Sequence, residues 1–392
     1  MVVLIDLDVV PRSRPRVRRD PGPPLKAVMV AALLLIMGGA TSPAPADGVI
    51  KVAETDGLDV SERLLTPSAL YTVRLRAEGA DVEAIPLAAG GPRWSATVAA
   101  VEPTLELSAD GSTIAVVPPE EGEAAFVDAR TGRVRWRPPE NAIVRVLGDR
   151  VAVWTWIDGQ ETGRLRMADV ATGRTLWQRL TGATALVGDK RLVVAIDEFG
   201  TSSVFASADG RVLNPGRSLD LADFGDGYGG RLVLGNTLYW WTSTFLAAHR
   251  LPDLKPLWRT PVALPIWIAG CGALICATGN GGVTAADPAT GKVRWTSRAW
   301  RSITSDIGVT GDGRAQRLDL ATGRVVEDLG RGGPAGDLLL RFDGDRSWAA
   351  RLGDGHVIGE LPLVSPASCA TAGQYLACPT GGNMLTVWRI RR

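Results

Sequence analysis

Four cysteines, two histidines and one run of closely spaced aspartates are the residues of this 392-residue chain with the types to do chemistry. Cys271 and Cys276 flank Gly272-Ala273-Leu274-Ile275, and Cys369 and Cys378 flank a stretch centred on Gly373-Gln374. Each pair is symmetric about a turn-like centre, so its members can face each other across adjacent antiparallel strands. Directly opposed Cβ atoms sit about 4.5–5.5 Å apart, close to disulfide range once the strands twist. Zinc is the competing reading, but zinc knuckles use tighter thiol spacing and histidine partners, which are scarce here. Two structural disulfides are therefore expected, in an oxidising compartment.

The remaining candidates read as structure. His249 falls on a strand-like stretch and His356 in a Gly-rich turn; neither stands beside a Ser or Cys elbow, so no acid–base role follows. Asp220, Asp223 and Asp226 offer oxygens to calcium, but they lack the alternate-residue spacing and terminal Glu of a calcium loop, which leaves a solvated turn. Gly279-Asn280-Gly281-Gly282 has the look of a phosphate cradle, yet it precedes no helix and so reads as a hairpin turn. Trp240-Trp241 and Trp154-x-Trp156 suit either a carbohydrate platform or packing; packing is expected, with the second Trp of each pair on the opposite side of its strand. A net charge of +1 with both signs interspersed disfavours a nucleic-acid partner. No catalytic, cofactor or metal set emerges, and a non-enzyme is expected.

The elements that position these residues come from one repeated phrase. Asp-Ala-Arg-Thr-Gly at 128–132, Asp-Val-Ala-Thr-Gly at 169–173, Asp-Pro-Ala-Thr-Gly at 287–291 and Asp-Leu-Ala-Thr-Gly at 319–323 are four copies. Trp136, Trp177 and Trp295 each stand four residues after their Gly. Gly90 to Trp94 keeps that spacing, Asp209-Gly210 keeps only the turn, Asp253 to Trp258 keeps the Trp among prolines, and Gly353-Asp354-Gly355 is the weakest copy. Equivalent positions fall at 90, 132, 173, 210, 254, 291, 323 and 355, 32 to 44 residues apart. The Asp accepts bonds from backbone amides of the turn, and the Gly supplies a positive φ. A second strand then presents the Trp, whose ring hides roughly 150–250 Å² when buried. One hairpin cannot cover such a ring, so the units must stack, and their length fits a four-stranded blade.

The pattern Ala-x-Asp-x-x-Thr-Gly-Lys-x-x-Trp at 285–295 resembles the tryptophan-docking motif of quinoprotein-type β-propellers, the pyrroloquinoline-quinone-like repeat family. The resemblance covers about residues 50–392. It implies an all-β propeller of about eight four-stranded blades, with seven as the alternative count. It also gives Asp128, Gly132, Trp136, Asp169, Gly173, Trp177, Asp287, Gly291, Trp295, Asp319, Gly323, Trp94 and Trp258 a blade-packing role. The family includes dehydrogenases, assembly scaffolds and sensor domains. Its quinone dehydrogenases are longer and hold their cofactor with a vicinal disulfide and calcium; no adjacent Cys pair occurs here, so no cofactor is expected.

Strand text runs through the repeat region, for example over 113–117 with 124–128, 151–155 with 163–169, 232–241 with 245–249, and 374–378 with 384–390. The last group lacks a fourth strand, and Val49–Ala53 has no blade of its own. Open sheet edges invite unwanted pairing, so this N-terminal strand is expected to complete the C-terminal blade. Ahead of it, residues 1–26 are basic and proline-rich, a disordered cytoplasmic segment. Residues 27–42 are apolar and form a transmembrane anchor or a signal h-region; 43–48 is a Pro/Ala linker and 49–392 the propeller. Basic residues before the apolar run give an inside N-terminus and an outside propeller. The alternative is secretion after cleavage near Ala46. The resulting expectation is a non-catalytic scaffold at the cell envelope for an envelope protein or small ligand; the alternatives are a quinone-dependent dehydrogenase or electron-transfer protein, and a glycan or peptide receptor.

Overall fold

Strands account for nearly every element of the computed structural model, which describes residues 48–119, 123–158, 162–219 and 229–391. The basic segment, the anchor or signal stretch, most of the linker, and Asp220, Asp223 and Asp226 lie outside the described residues. Among the described residues no helix is long and apolar enough to cross a membrane.

The strands assemble into eight hydrogen-bonded sheets, seven of four strands and one of seven. Blades one to six run antiparallel and in chain order over 60–98, 104–136, 143–181, 185–218, 229–261 and 265–297. The seven-stranded sheet is two blades that share one strand. Arg324–Ala335 pairs through residues 324–331 with Arg314–Asp319, and through 332–335 with Leu338–Asp343. Gly330 and Gly332, at φ 83° and 152°, let this strand swing from one blade into the next. Blades seven and eight thus span 300–331 and 332–362. The ninth combines Ala370–Ala372, Tyr375–Thr380 and Met384–Ile390 with Val49–Asp56. The count of separate sheets agrees with the expected eight; because one strand serves two blades, there are nine four-stranded units among the described residues. Eight turn copies plus one closing blade give the same total.

Apolar contacts run from each blade to the next. Separate buried clusters join one to two, two to three, three to four, four to five and five to six. Further clusters join six to seven, seven to eight, eight to nine, and nine back to one. The ring is therefore closed, and Val49–Asp56 closes it by pairing with Met384–Ile390 from Val49↔Ile390 to Asp56↔Met384. The second strands sit between two neighbouring blades, which is why Thr113–Val117 and Leu192–Ile196 are buried at every position. Sheets covered on both faces read as continuous apolar runs. Fourth strands face solvent more: along Thr175–Thr181 only Trp177 is buried.

Two expectations need correcting. The stretch 232–241 is not one strand but parts of Gly229–Leu234 and Thr237–Thr242, divided by a turn at Gly235-Asn236. Trp154 and Trp156 do not lie on opposite sides; residues two apart on a strand share a face, and their rings meet edge to face at 4.7 Å. Trp240 and Trp241, one apart, do part company: Trp241 packs toward blade six, and Trp240 joins Phe245 and Ala247.

Candidate functional site: the turn latch and the two loop faces

The phrase works between blades rather than within one. Each Trp lies not on the Gly of its own turn but on the Gly of the next blade's turn. A Cβ placed on Gly132 would meet the Trp94 ring at 2.4 Å, and one on Gly173 would meet Trp136 at 2.5 Å. Gly210 faces Trp177, Gly291 faces Trp258 and Gly323 faces Trp295 in the same way. The indole N–H then donates to the carbonyl three residues before that Gly. Trp94 bonds Ala129, Trp136 Val170, Trp177 Ser207, Trp258 Pro288 and Trp295 Leu320, over 2.7–3.1 Å. Only glycine leaves room for the ring, so the Gly of one copy and the Trp of the preceding copy form one device.

The aspartates hold the turn that presents the Gly. Asp128 Oδ1 accepts from the Arg130 and Thr131 amides and the Thr131 hydroxyl, while Oδ2 accepts from Arg135 at 2.7 Å. Asp287 repeats the set with Ala289, Thr290 and Arg294. The Arg135 and Arg294 guanidiniums, with the turn amides, hold both carboxyls down at about 2. Asp169 and Asp319 keep the Thr contact, at 2.7 and 2.8 Å.

Four junctions have no such Trp. Asn214 stands where blade four would carry one, and the turn it would meet has Leu254 at φ 54° in place of Gly. Glu327 stands in that place in blade seven. At three of them arginines reach across instead. Arg191 Nη1 donates to Asn236 Oδ1 at 2.8 Å between blades four and five. Arg317 Nη2 donates to the Leu352 carbonyl at 2.7 Å, three residues before Gly355, filling the place of the indole. At the seam, Arg63 donates to the Ser368 carbonyl and Arg74 to that of Leu58.

Both disulfides are formed. Cys369 and Cys378 are directly opposed, in register with the pair Ala370↔Ala377. Cys271 and Cys276 are not; they bond diagonally, since Cys271 pairs with Leu274 and Cys276 with Ala269. His249 is buried on the side of blade five facing blade four, and its Nδ1 has no hydrogen-bond partner among the described residues. Burial, aided by the Arg217 charge, lowers its pKa to about 4. His356 is exposed in its turn. The four-residue stretch Gly279–Gly282 joins Leu274–Gly279 to Gly282–Ala286 as a hairpin turn.

Inner strands carry charges that the sequence reading passed over. Burial raises the Glu106 carboxyl, against the opposing pull of Arg145, and lowers the Arg63 and Arg231 guanidiniums. These groups lie on first strands, which line the ring's inner wall. Among the described residues no three His, Cys, Asp or Glu side chains are grouped to hold a metal.

The antiparallel order gives the ring two loop faces. Turns between first and second and between third and fourth strands lie on one, here called the Thr-Gly face. Turns between second and third strands and the links from blade to blade lie on the other. Exposed aromatics gather on the second face: Trp156 at the end of a second strand is 48% exposed, Phe199 in a second-to-third turn 78%, and Trp267 near the start of an inner strand 66%.

The sequence matches the family model described as outer membrane protein assembly factor BamB over residues 72–222 and 246–391. No curated protein matches the chain. Among solved structures it is similar to BamB from Moraxella catarrhalis, at 17% identity over 88% of this chain and 98% of that one, with a TM-score of 0.49. It is also similar to Sqt1 from Saccharomyces cerevisiae, at 10% identity over 88% and 100%, with a TM-score of 0.52. A third is a quinohemoprotein alcohol dehydrogenase from Comamonas testosteroni, at 11% identity over 87% and 76%, with a TM-score of 0.45. At such identities the likeness to these structures concerns the fold. The family match spans most of the chain and takes in all eight turn copies, from 90 to 355, so the chain belongs to the BamB-type family of pyrroloquinoline-quinone-like repeat propellers.

Proposed function

We propose that this protein is a non-catalytic scaffold at the cell envelope, outside the cytoplasm, that binds a partner protein through the face bearing Trp156, Phe199 and Trp267. The observation that carries this reading is the exposure of those three aromatics on one loop face of a closed ring. Aromatic side chains are enriched among the anchors of protein interfaces. Rigid rings that present loops are suited to binding. Membership of a family described as an assembly factor supports binding over turnover, and two disulfides support an oxidising compartment. Residues 27–42 would serve as the anchor, with the propeller outside.

The test has two arms. A photo-crosslinking residue at Phe199 or Trp267 of the full chain, in native membranes, should give a discrete protein adduct that the same residue at Ala289 on the Thr-Gly face does not give. Purified protein supplied with the quinone and calcium should show neither saturable binding nor dye reduction. Turnover in the second arm, or equal adducts from both faces in the first, overturns the proposal.

A further inference from the structure

The Thr-Gly face carries a cation at one repeated position. Five of the seven turn Gly are followed by a cation, Arg133, Arg174, Arg211, Lys292 and Arg324, and Lys255 follows Leu254, which holds the Gly's place in blade five. All six are exposed, and none forms an ion pair among the described residues. The latch itself is made by the Gly, the carbonyl and the Trp and uses none of these charges. Two turn aspartates on the same face, Asp128 and Asp287, are drawn inward, while Asp110, Asp149, Asp209, Asp319 and Asp354 stay exposed there. Asp128 and Asp287 are bonded to their own turn amides and paired with Arg135 and Arg294, their side chains 24% and 20% exposed. The outward charge at this position is therefore positive from blade two to blade seven.

The opposite face carries more acid than base, although Arg137 and Arg298 are exposed there too. Asp59, Glu78, Glu102, Glu140, Asp158 and Glu198 lie in its turns and links, all exposed and none in an ion pair among the described residues. A near-neutral chain is thus polarised across its ring. The chain enters the ring on the basic side: Gly48, which follows the basic and apolar N-terminal sequence, packs against Ile358 and Arg391, at the end of blade nine's fourth strand that lies on the Thr-Gly face.

We infer that the Thr-Gly face rests on an anionic lipid surface, with Arg133, Arg174, Arg211, Lys255, Lys292 and Arg324 facing the headgroups. This rests on the membrane-anchored reading above. A chain tethered at that face holds its cations close to the bilayer, and charges within about a Debye length, roughly 8 Å at physiological salt, feel its negative potential. Such seating turns the acidic, aromatic face outward, where a partner can reach it.

The experiment uses the full chain in vesicles of phosphatidylcholine alone or mixed with phosphatidylglycerol. A fluorophore is attached at Ala289→Cys or at Glu198→Cys, the four native cysteines being paired, and a lipid-borne quencher reads proximity. In anionic vesicles the Ala289 label should be quenched several-fold more than the Glu198 label. High salt, neutral lipid, or the combined Arg133→Glu, Arg174→Glu and Lys292→Glu variant should each remove most of that difference. Neutral lipid tests the unmodified face, so the result does not hang on the variant's folding. Equal quenching at both sites, or no dependence on lipid charge, overturns the seating and leaves the envelope reading intact. Shielding of Ala289 from an aqueous quencher without lipid gives the face to the acidic side of a second copy, and also overturns it. Failure of the chain to float with either vesicle overturns the membrane reading and this inference with it.

Discussion

Tryptophan-latched junctions and arginine-bridged junctions solve one problem with different physics. From blade one to four and from five to seven, an indole fills the gap above a glycine and donates one bond to the next turn. Most of that grip is apolar area, which salt does not screen. Where the Trp is lost, between four and five and between seven and eight, an arginine spans the gap with its donors. Those side chains are partly solvated, and exposed charge contacts contribute about 1 kcal/mol or less. The arginine-bridged junctions therefore need further support. Between seven and eight it is the continuous strand 324–335, and in blade nine it is the disulfide and the N-terminal strand. A degenerate repeat is thus a place where another device has taken over, rather than a defect.

The comparison breaks first if the latch is not the stronger grip. Trp177→Ala removes a ring that is 7% exposed and should cost about 3–5 kcal/mol, the range for truncating a buried aromatic. Urea unfolding checks this, and a loss under about 1 kcal/mol would put the two kinds of junction on a par. Acid sharpens the contrast at the junction of blades four and five. His249 has its folded pKa lowered from 6.5 to about 4. Because the folded state holds the neutral ring, its contribution is fully present above pH 6.5 and is lost as pH falls toward 4. A loss on the order of 2–3 kcal/mol is expected across that window, and His249→Leu should flatten it. An unchanged acid limb in the variant would dismiss the idea. The finest test compares two glycines. Gly323 and Gly355 both sit near φ 70°, but only the first has a Trp at 2.6 Å from its added Cβ. Alanine at either strains the backbone; at Gly323 it should cost a further 1–3 kcal/mol or so by overpacking. Equal losses in thermal melts would show that the turn, not the ring above it, sets the requirement.

Much of this ring was legible because second and third strands are buried on both sides and read as apolar runs. Thr113–Val117, Gly163–Asp169 and Met384–Ile390 have the bounds expected from the sequence. The closing strand was legible from an unfilled edge. Most inner strands were not: Thr104–Leu107, Ile143–Leu147 and Ala185–Gly188 are short, and the first two carry Glu106 and Arg145 toward the axis, which blurs their alternation. The spacing placed Gly and Trp in one phrase, but sequence neighbours do not reveal that the ring reaches forward to the following turn. The buried His249 was hidden for a similar reason, since burial depends on blade four, many residues away. The arginine bridges leave no motif at all, because any arginine of suitable reach can serve.

The seam has a mechanical consequence. Val49 pairs with Ile390 at the first rung of the closing ladder, one residue beyond Gly48. A tug arriving through the N-terminal chain therefore falls on that end of the ladder, where Gly48 also rests on Ile358 of blade eight, and rungs yield in turn toward Asp56. Under load the circle would unzip at its clasp while the tryptophan-locked arc held its shape.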